Sequence, residues 1–381
     1  MRDILPDLLS WWEDGQTVGM GTVVATWRSA PRPAGASMIV STTDEALGSV
    51  SGGCVEGAVY EEAKLVRDGE STPKMHRYGI SDDDAFSVGL SCGGIMDIFV
   101  EPVSKETFPE LREVADSIDK HEPVAVITCV TGPEDRVGKR LILWNDRHAG
   151  SLGAQRLDDA VAEDARGMLA AGRTGEIHYG YDGERRGDDL TLFVASYAPP
   201  VRMLVFGAID FAAAVAKMGA FLGHKVTVCD ARPVFATRKR FPDAHEVVVD
   251  WPHRYLQAEV DAGRIDERTI ICVLTHDQKF DVPLLQVALP LDVAYIGAMG
   301  SRRTHDDRLV RLREAGVPED QIAKLSSPIG LDLGAHTPEE TAVSIAAEII
   351  ALQWGGDGKR LSHSTEGRIH GDIVREEPVL G

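Results

Sequence analysis

Val201–Arg232 reads VRMLVFGAIDFAAAVAKMGAFLGHKVTVCDAR. An apolar run of strand length, a glycine turn, a helix-length apolar stretch and a second β-branched run follow one another, which predicts strand, turn, helix, strand. Downstream, HEVVV, TIICVL and VAYIGAM supply further strands, KLSSPIGLDLG reads as strand-like, and Thr337-Pro338 opens a final helix over Pro338–Trp354. Strands alternating with helices predict a Rossmann-like, doubly wound parallel sheet over residues 201–355. Residues 356–381, rich in Gly, His and charge, read as a loose tail.

Upstream the pattern changes. Gly35–Gly79 (GASMIVSTTDEALGSVSGGCVEGAVYEEAKLVRDGESTPKMHRYG) can be laid over Gly138–Gly180 (GKRLILWNDRHAGSLGAQRLDDAVAEDARGMLAAGRTGEIHYG) with small gaps. Each copy carries a strand (Met38–Val40; Leu141–Leu143), a Gly-Ser turn and a helix of about three turns that ends near a glycine. The flanks agree: TVVATW and VAVITCV precede the copies, and IMDIFVEPV and LTLFVASY follow them. The fold class is therefore α/β, with an N-terminal duplicated α+β domain over residues 1–197 (repeats 20–103 and 123–198) followed by the Rossmann-like domain.

The 381 residues include 60 acidic and 40 basic side chains, a net charge of −20 that repels nucleic acid and anionic lipid. Neither is expected as a partner. The N-terminal MRDILPDLLSWWEDGQ is an acidic amphipathic helix with Ile4, Leu5, Leu8, Leu9 and Trp12 on one face, without the cationic flank of a signal peptide. No apolar run of about 18 residues exists to span a bilayer, and a cytoplasmic location is expected. Five cysteines, none in CxxC spacing, argue against a metal cage or a disulfide frame. Cys129 and Cys272 lie in apolar β-branched runs and read as core thiols.

The duplication supplies an internal control. Where the first copy has Ser51-Gly52-Gly53-Cys54-Val55-Glu56, the second has Gly153-Ala154-Gln155-Arg156-Leu157-Asp158. The packing role of those positions is met without cysteine in the second copy, so Cys54 reads as chemical. Placed before a helix that begins near Glu56, its turn is expected to offer backbone amides at the positive end of the helix dipole, and its glycines to let a flat or phosphorylated ligand approach. A thiolate there is a soft ligand for molybdenum or a sulfur acceptor. Ser91-Cys92-Gly93-Gly94 is a second cysteine turn without a counterpart in the other copy. Arg28–Ala36 is a proline-stiffened basic loop in which Arg32 is the candidate phosphate contact. His276, His305 and His336 stand on predicted loops at the ligand-collecting end of the parallel sheet. There, Gly207, Asp210 and Asp230 occupy dinucleotide-binding positions, but Ile209 replaces the second glycine and fills the space a pyrophosphate needs.

Together, APRPAGASM, GSVSGGCVEGAVYEEA, LSCGG, LTHDQKFD, YIGAMGSRR and SSPIGLDLGAHTPEETAVSIAAEIIA resemble the XdhC/CoxI family of xanthine dehydrogenase and carbon monoxide dehydrogenase accessory proteins. The resemblance implies a chaperone that binds the molybdenum cofactor (molybdopterin), supports its sulfuration with a cysteine desulfurase, and delivers it to an apo xanthine dehydrogenase or related molybdenum hydroxylase. It implies cofactor handling by Cys54 and Cys92, which the turn reading extends to Gly52, Gly53, Gly93 and Arg32. A homodimer is expected. Where the family commonly shows G-A-G-H, this chain has Gly207-Ala208-Ile209-Asp210. The alternative is an NAD(P)-dependent oxidoreductase or a nucleotide-sensing regulator using the second domain, against which Ile209 argues. Xanthine dehydrogenase activity itself would need eight cysteine ligands for two iron–sulfur clusters, and the sequence has five.

Overall fold

The computed structural model describes residues 1–27, 32–79, 94–275, 277–360 and 362. The chain divides after Pro199 into two compact units. In the first, helix α1 (Leu5–Glu13) precedes β1 (Val18–Trp27), β2 (Ser37–Val40), β3 (Ala46–Gly48), α2 (Glu56–Arg67), β4 (Lys74–Tyr78) and β5 (Ile95–Val103). Helix α3 (Leu111–Asp119) then leads into the second copy: β6 (Val124–Thr131), β7 (Arg140–Trp144), β8 (His148–Gly150), α4 (Gln155–Ala170), β9 (Gly175–Tyr179) and β10 (Leu190–Tyr197). The two sheets have the same order, β3-β2-β1-β5-β4 and β8-β7-β6-β10-β9. The helix after the turn is three turns in the first copy, as expected, but 16 residues in the second.

Period-two alternation decides how these sheets pack, because successive strand residues point to opposite faces. Met20, Val24, Phe99 and Val103 of the first sheet share a core with Val126, Val130, Ile142 and Phe193 of the second. The alternate residues Val23, Met96, Ile98 and Val100 pack beneath Val59, Ala63 and Val66 of α2. Ala125, Ile127, Cys129 and Val194 do the same beneath Leu157, Val161 and Leu169 of α4. The result is a four-layer unit, helix on sheet on sheet on helix, in which both faces of each sheet are covered.

One ion pair interrupts the apolar seam between the sheets. Arg140 of β7 meets Glu101 of β5 with both side chains buried, donates to the Thr107 carbonyl at 2.7 Å, and lies 4.6 Å from the centre of the Phe108 ring.

The second unit is built on β11 (Arg202–Phe206), α5 (Asp210–Phe221), β12 (Lys225–Asp230), β13 (Glu246–Val249), α6 (Pro252–Asp261), β14 (Ile270–Val273), α7 (Gln278–Ala288), β15 (Tyr295–Ala298), α8 (Arg302–Glu314), α9 (Glu319–Ile322) and α10 (Pro338–Trp354). All four strand pairings are parallel, in the order β13-β12-β11-β14-β15. The final helix spans Pro338–Trp354 as expected, closed by a capping box between Thr337 and Glu340. KLSSPIGLDLG forms no strand: one bridge, Ser326 to Gly297, is its share of the sheet, because Pro328 lacks a ladder donor. Among the described residues, no helix is long and apolar enough to cross a membrane.

Replacing Arg140 by Met leaves the Glu101 carboxylate buried without its cation. The variant should lose about 3–5 kcal/mol, read as a lower urea midpoint, and adding Glu101→Leu should recover most of it. Equal stability of the single and double variants would reduce the pair to a packing contact.

Candidate functional site

Ser49–Glu56 links β3 to α2, and its buried amides must find acceptors at a helix start. They find them within the motif. Glu56 Oε1 accepts from the Ser49 hydroxyl at 2.7 Å and the Ser51 amide at 2.9 Å, while Oε2 accepts from the Gly53 amide at 2.8 Å and from the Ser51 hydroxyl. The Ser51 hydroxyl oxygen in turn accepts from the amides of Cys54 and Val55, both at 2.9 Å. The Gly52 amide donates to Ser49 Oγ at 3.0 Å. Burial pushes the Glu56 carboxyl up, but the donors of Ser51 and Ser49 outweigh it and hold the group at about 2. The amides expected to await an anion are thus engaged by the chain's own carboxylate and hydroxyls.

What stays open is the space over the glycines. Gly52 and Gly53 have φ of 76° and 119°, which only glycine adopts without strain. Among the described residues nothing lies within 4 Å of where a Cβ on either would stand. Cys54 follows directly, half-buried at the edge of the core under α2. The other cysteines of the described residues are buried. Burial pushes the Cys129 thiol to about 11, that of Cys272 to about 12, and that of Cys229 well up. They are core thiols, as expected for Cys129 and Cys272.

The second copy keeps the carboxylate but has Ala154 and Gln155 where the first has Gly52 and Gly53. Asp158 accepts from the Ser151 hydroxyl at 2.6 Å and the Leu152 amide at 2.7 Å. Gly153, at the position of Ser51, has the guanidinium of Arg136 beside it: a Cβ there would fall 2.8 Å from Arg136 Cζ.

Cys92 and Gly93 of the second cysteine turn, residues 28–31 of the basic loop, and His276 lie outside the described residues. Arg32 stands within Coulombic reach of the Met1 amino group, with its Nε buried and without a hydrogen-bond partner among the described residues. Nothing in that arrangement joins it to the Cys54 turn. His305 is in the first turn of α8 instead of a loop, and His336 precedes α10, its amide donating to Glu340 at 2.7 Å.

In the second unit, Gly207 (φ 112°) is required where the turn crosses the end of β14, since a Cβ would fall 2.9 Å from the Leu274 carbonyl carbon. Asp230 is 2% exposed. Its carboxylate accepts from the Ala208 amide at 2.7 Å and from the amide, Nε and Nη2 of Arg232 at 2.8–2.9 Å. Burial pushes that carboxyl up, but Arg232 and the Ala208 amide hold it below the usual range. The acid that would accept a ribose diol is already saturated, and Asp210 is exposed and paired with Arg240 at 3.0 Å. The residues sequence reasoning missed are Asp281 and Arg308, the latter 1% exposed. Arg308 donates to Asp281 at 3.1 Å, the Met299 carbonyl at 2.7 Å and Ser327 at 3.0 Å, and Thr275 donates to Asp281. That network ties together the segments leaving β14 and β15. Among the described residues no group of His, Cys, Asp or Glu is arranged to hold a metal ion.

A family model described as "XdhC Rossmann domain" matches residues 203–349, and one described as "XdhC and CoxI family" matches residues 11–79 and 117–180, one segment in each copy. A probable xanthine dehydrogenase subunit of Bacillus subtilis (strain 168) is 27% identical over 340 residues, 89% of this chain and 94% of that protein. The "Molybdenum cofactor insertion chaperone PaoD" of Escherichia coli (strain K12) is 26% identical over 352 residues, 92% of this chain and 88% of its own. A crystal structure described as a xanthine dehydrogenase from Bacillus halodurans shares the fold, with a TM-score of 0.64 at 24% identity over 95% of this chain and 98% of that one.

Two outcomes follow from the geometry. Because the Glu56 pKa is depressed from 4.5 to about 2, its stabilisation is fully present above 4.5 and lost as pH falls toward 2. Solvent at a partly buried carboxylate screens the linkage to about 1–2 kcal/mol. Glu56→Gln should therefore be less stable by that amount at neutral pH and indistinguishable from the parent near the lower limit; parallel acid limbs would refute the assignment. In the second unit, excess NAD⁺ or NADH should leave the unfolding temperature unchanged, and a saturable rise would return the crevice to dinucleotide binding.

Proposed function

The chain belongs to the XdhC and CoxI family, and from that premise we propose that it is an accessory protein that holds the molybdenum cofactor for a xanthine-dehydrogenase-type molybdenum hydroxylase. The observation that carries this reading is the asymmetry of the duplicated turn. A thiol on a doubly glycine-bearing turn, with nothing among the described residues over its glycines, is present in the first copy, and Ala154, Gln155 and Arg156 stand in place of Gly52, Gly53 and Cys54 in the second. The name of the Escherichia coli relative, a molybdenum cofactor insertion chaperone, supports it.

The residues present fit the group. Gly52 and Gly53 leave room that side chains would fill, and Cys54 offers a soft sulfur of the kind molybdenum and persulfide chemistry use. Bound there, the cofactor would supply the redox-active metal that the client enzyme requires. The chain's part is to hold it, with Glu56 fixing the turn and Cys54 as the molybdenum or sulfur contact. Cys92, Gly93 and Arg32 complete the proposed set. Support of sulfuration with a cysteine desulfurase, delivery to the apo-enzyme, a homodimeric state and a cytoplasmic location belong to the same proposal. No feature of the Asp230 crevice favours the dinucleotide alternative.

Purification from cells that make the cofactor, followed by assay of molybdenum and pterin per chain, tests the reading. The parent chain should retain both. Cys54→Ser should lose most of each while its unfolding free energy stays within about 1 kcal/mol, as for a functional rather than a core thiol. Undiminished retention by Cys54→Ser would remove the thiol from the site, and a parent chain that retains neither would overturn the function.

A further inference from the structure

We propose that the outer face of α10 is the seam on which two copies of this chain associate, each α10 packing antiparallel on its partner across a two-fold axis. The inference rests on the homodimeric state included in the proposed function and gives that state a surface; the cofactor reading does not enter it.

The sequence of the helix sets the problem. Between Glu340 and Trp354 the chain reads TAVSIAAEIIALQ, with one charged residue, Glu348. That charge is turned inward: its carboxylate accepts from the Gly330 amide at 2.8 Å and from the Tyr295 hydroxyl. Ala342, Ile345 and Ile349 belong to the core that covers one face of the parallel sheet. The other side of the helix is apolar as well. Val343, Ile350 and Trp354 are 46%, 44% and 66% exposed, with the half-buried Ala347 between them. Helix α5, which packs beside α10, ends on Phe221, 82% exposed. In the opposite layer α8 turns Arg303, Asp306, Asp307 and Arg313 to solvent. A helix that is apolar on every side belongs in a buried place, and α10 has such a place on one side alone.

The spacing identifies what covers the other side. Residues 343, 347, 350 and 354 follow one another at intervals of 4, 3 and 4, the a and d repeat of a helix-pairing seam, in which each knob enters a hole on the facing helix. The flanking Ala346, Ala351 and Gln353 carry no charge that would hold a second helix off. The seam is complementary to itself when turned end for end. Antiparallel packing sets Val343 against the partner's Trp354 and Ala347 against the partner's Ile350, so that a smaller side chain meets a larger one in each layer. It also brings Lys359 and Arg360, just past the C-terminal end, to the partner's acidic first turn, Glu339 and Glu340, and lays opposed helix dipoles side by side. A parallel arrangement would gather like charges at both ends. One segment thus supplies both halves of the fit, as a two-fold interface requires. Phe221 and Trp354 present roughly 150 Å² each, and Val343, Ile350 and the alanines between them extend this toward the roughly 800 Å² that each partner gives to a standard interface.

Sedimentation of the full chain at micromolar concentration tests the seam. The parent should run at twice the chain mass. Ile350→Glu, which puts an unpaired carboxylate in the middle of the stripe, should raise the dimer dissociation constant at least about tenfold with an unchanged circular dichroism spectrum. Val343 and Trp354 are 11 residues apart, about 16 Å along a helix. Under copper phenanthroline, Val343→Cys and Trp354→Cys alone should therefore cross-link no more than the parent. The double variant, in which each new thiol meets the other kind on the partner within disulfide reach, should become a covalent dimer. A monomeric parent would overturn the proposal and leave the face to another protein, whatever the molybdenum assay returns. A parent dimer that Ile350→Glu leaves intact, or a double variant that does not cross-link, would overturn the seam and keep the homodimer. Single variants that cross-link as readily as the double one would overturn the antiparallel arrangement.

Discussion

The carboxylate of Glu56 folds back onto the turn that delivers it, and the arrangement around Cys54 follows from that contact. A helix start buried against a sheet has amides that need acceptors. Once Glu56 and Ser51 supply them, the turn and its left-handed glycines are held in place by the chain itself. Asp158 plays the same part in the second copy with a shorter side chain and fewer bonds. The acid is therefore architectural in both repeats, whereas the thiol and the glycine pair are particular to one. Rigid surroundings of this kind let a site bind without first ordering itself.

Much of the fold was legible because burial imposes periodicity. Both sheets of the first unit are covered on each face, so their strands read as continuous apolar runs, and the matching runs in Gly35–Gly79 and Gly138–Gly180 revealed the duplication. The strand, turn and helix of Val201–Arg232 were equally plain, as was the cap at Thr337. The site was less so. That the turn amides are taken by Glu56 depends on a side chain curling back across five residues, although the serines preceding an acidic helix start were a usable signal. Arg136 sits in a polar loop sequence, PEDRVG, that reads as solvated, and only the sheet places its side chain over Gly153. Arg308 lies in RRTHDDRLVRLRE, whose charge density suggests an exposed helix, yet it is among the most buried side chains of the chain.

The second unit shows how a nucleotide-type scaffold can be turned to internal use. In its usual setting the acid after the second strand awaits a ribose. Here Asp230 joins the Ala208 amide to Arg232, so the acid braces the glycine turn instead of presenting itself. Ile209, which replaces the second glycine, packs against the core beneath the sheet. Sequence reasoning identified the departure at Ile209 but had no means of seeing that Asp230 was consumed as well, because its partner, Arg232, was read only as the end of a strand.

Carrying the same sheet twice in one chain creates a hazard of its own: a strand of one copy can be recruited by the other while both are forming. The outermost strands bear on this. Those of the first sheet, β3 and β4, are three and five residues long, and those of the second, β8 and β9, are again three and five. Such short borders present few unpaired backbone groups to a stray partner. The long strands β1, β5, β6 and β10 are interior to their own sheets, where neighbours occupy both sides. Misassembly between the copies would thus have to begin at the least adhesive positions, which lets two nearly interchangeable halves mature beside each other, and accumulate different side chains over the same turn, without exchanging parts.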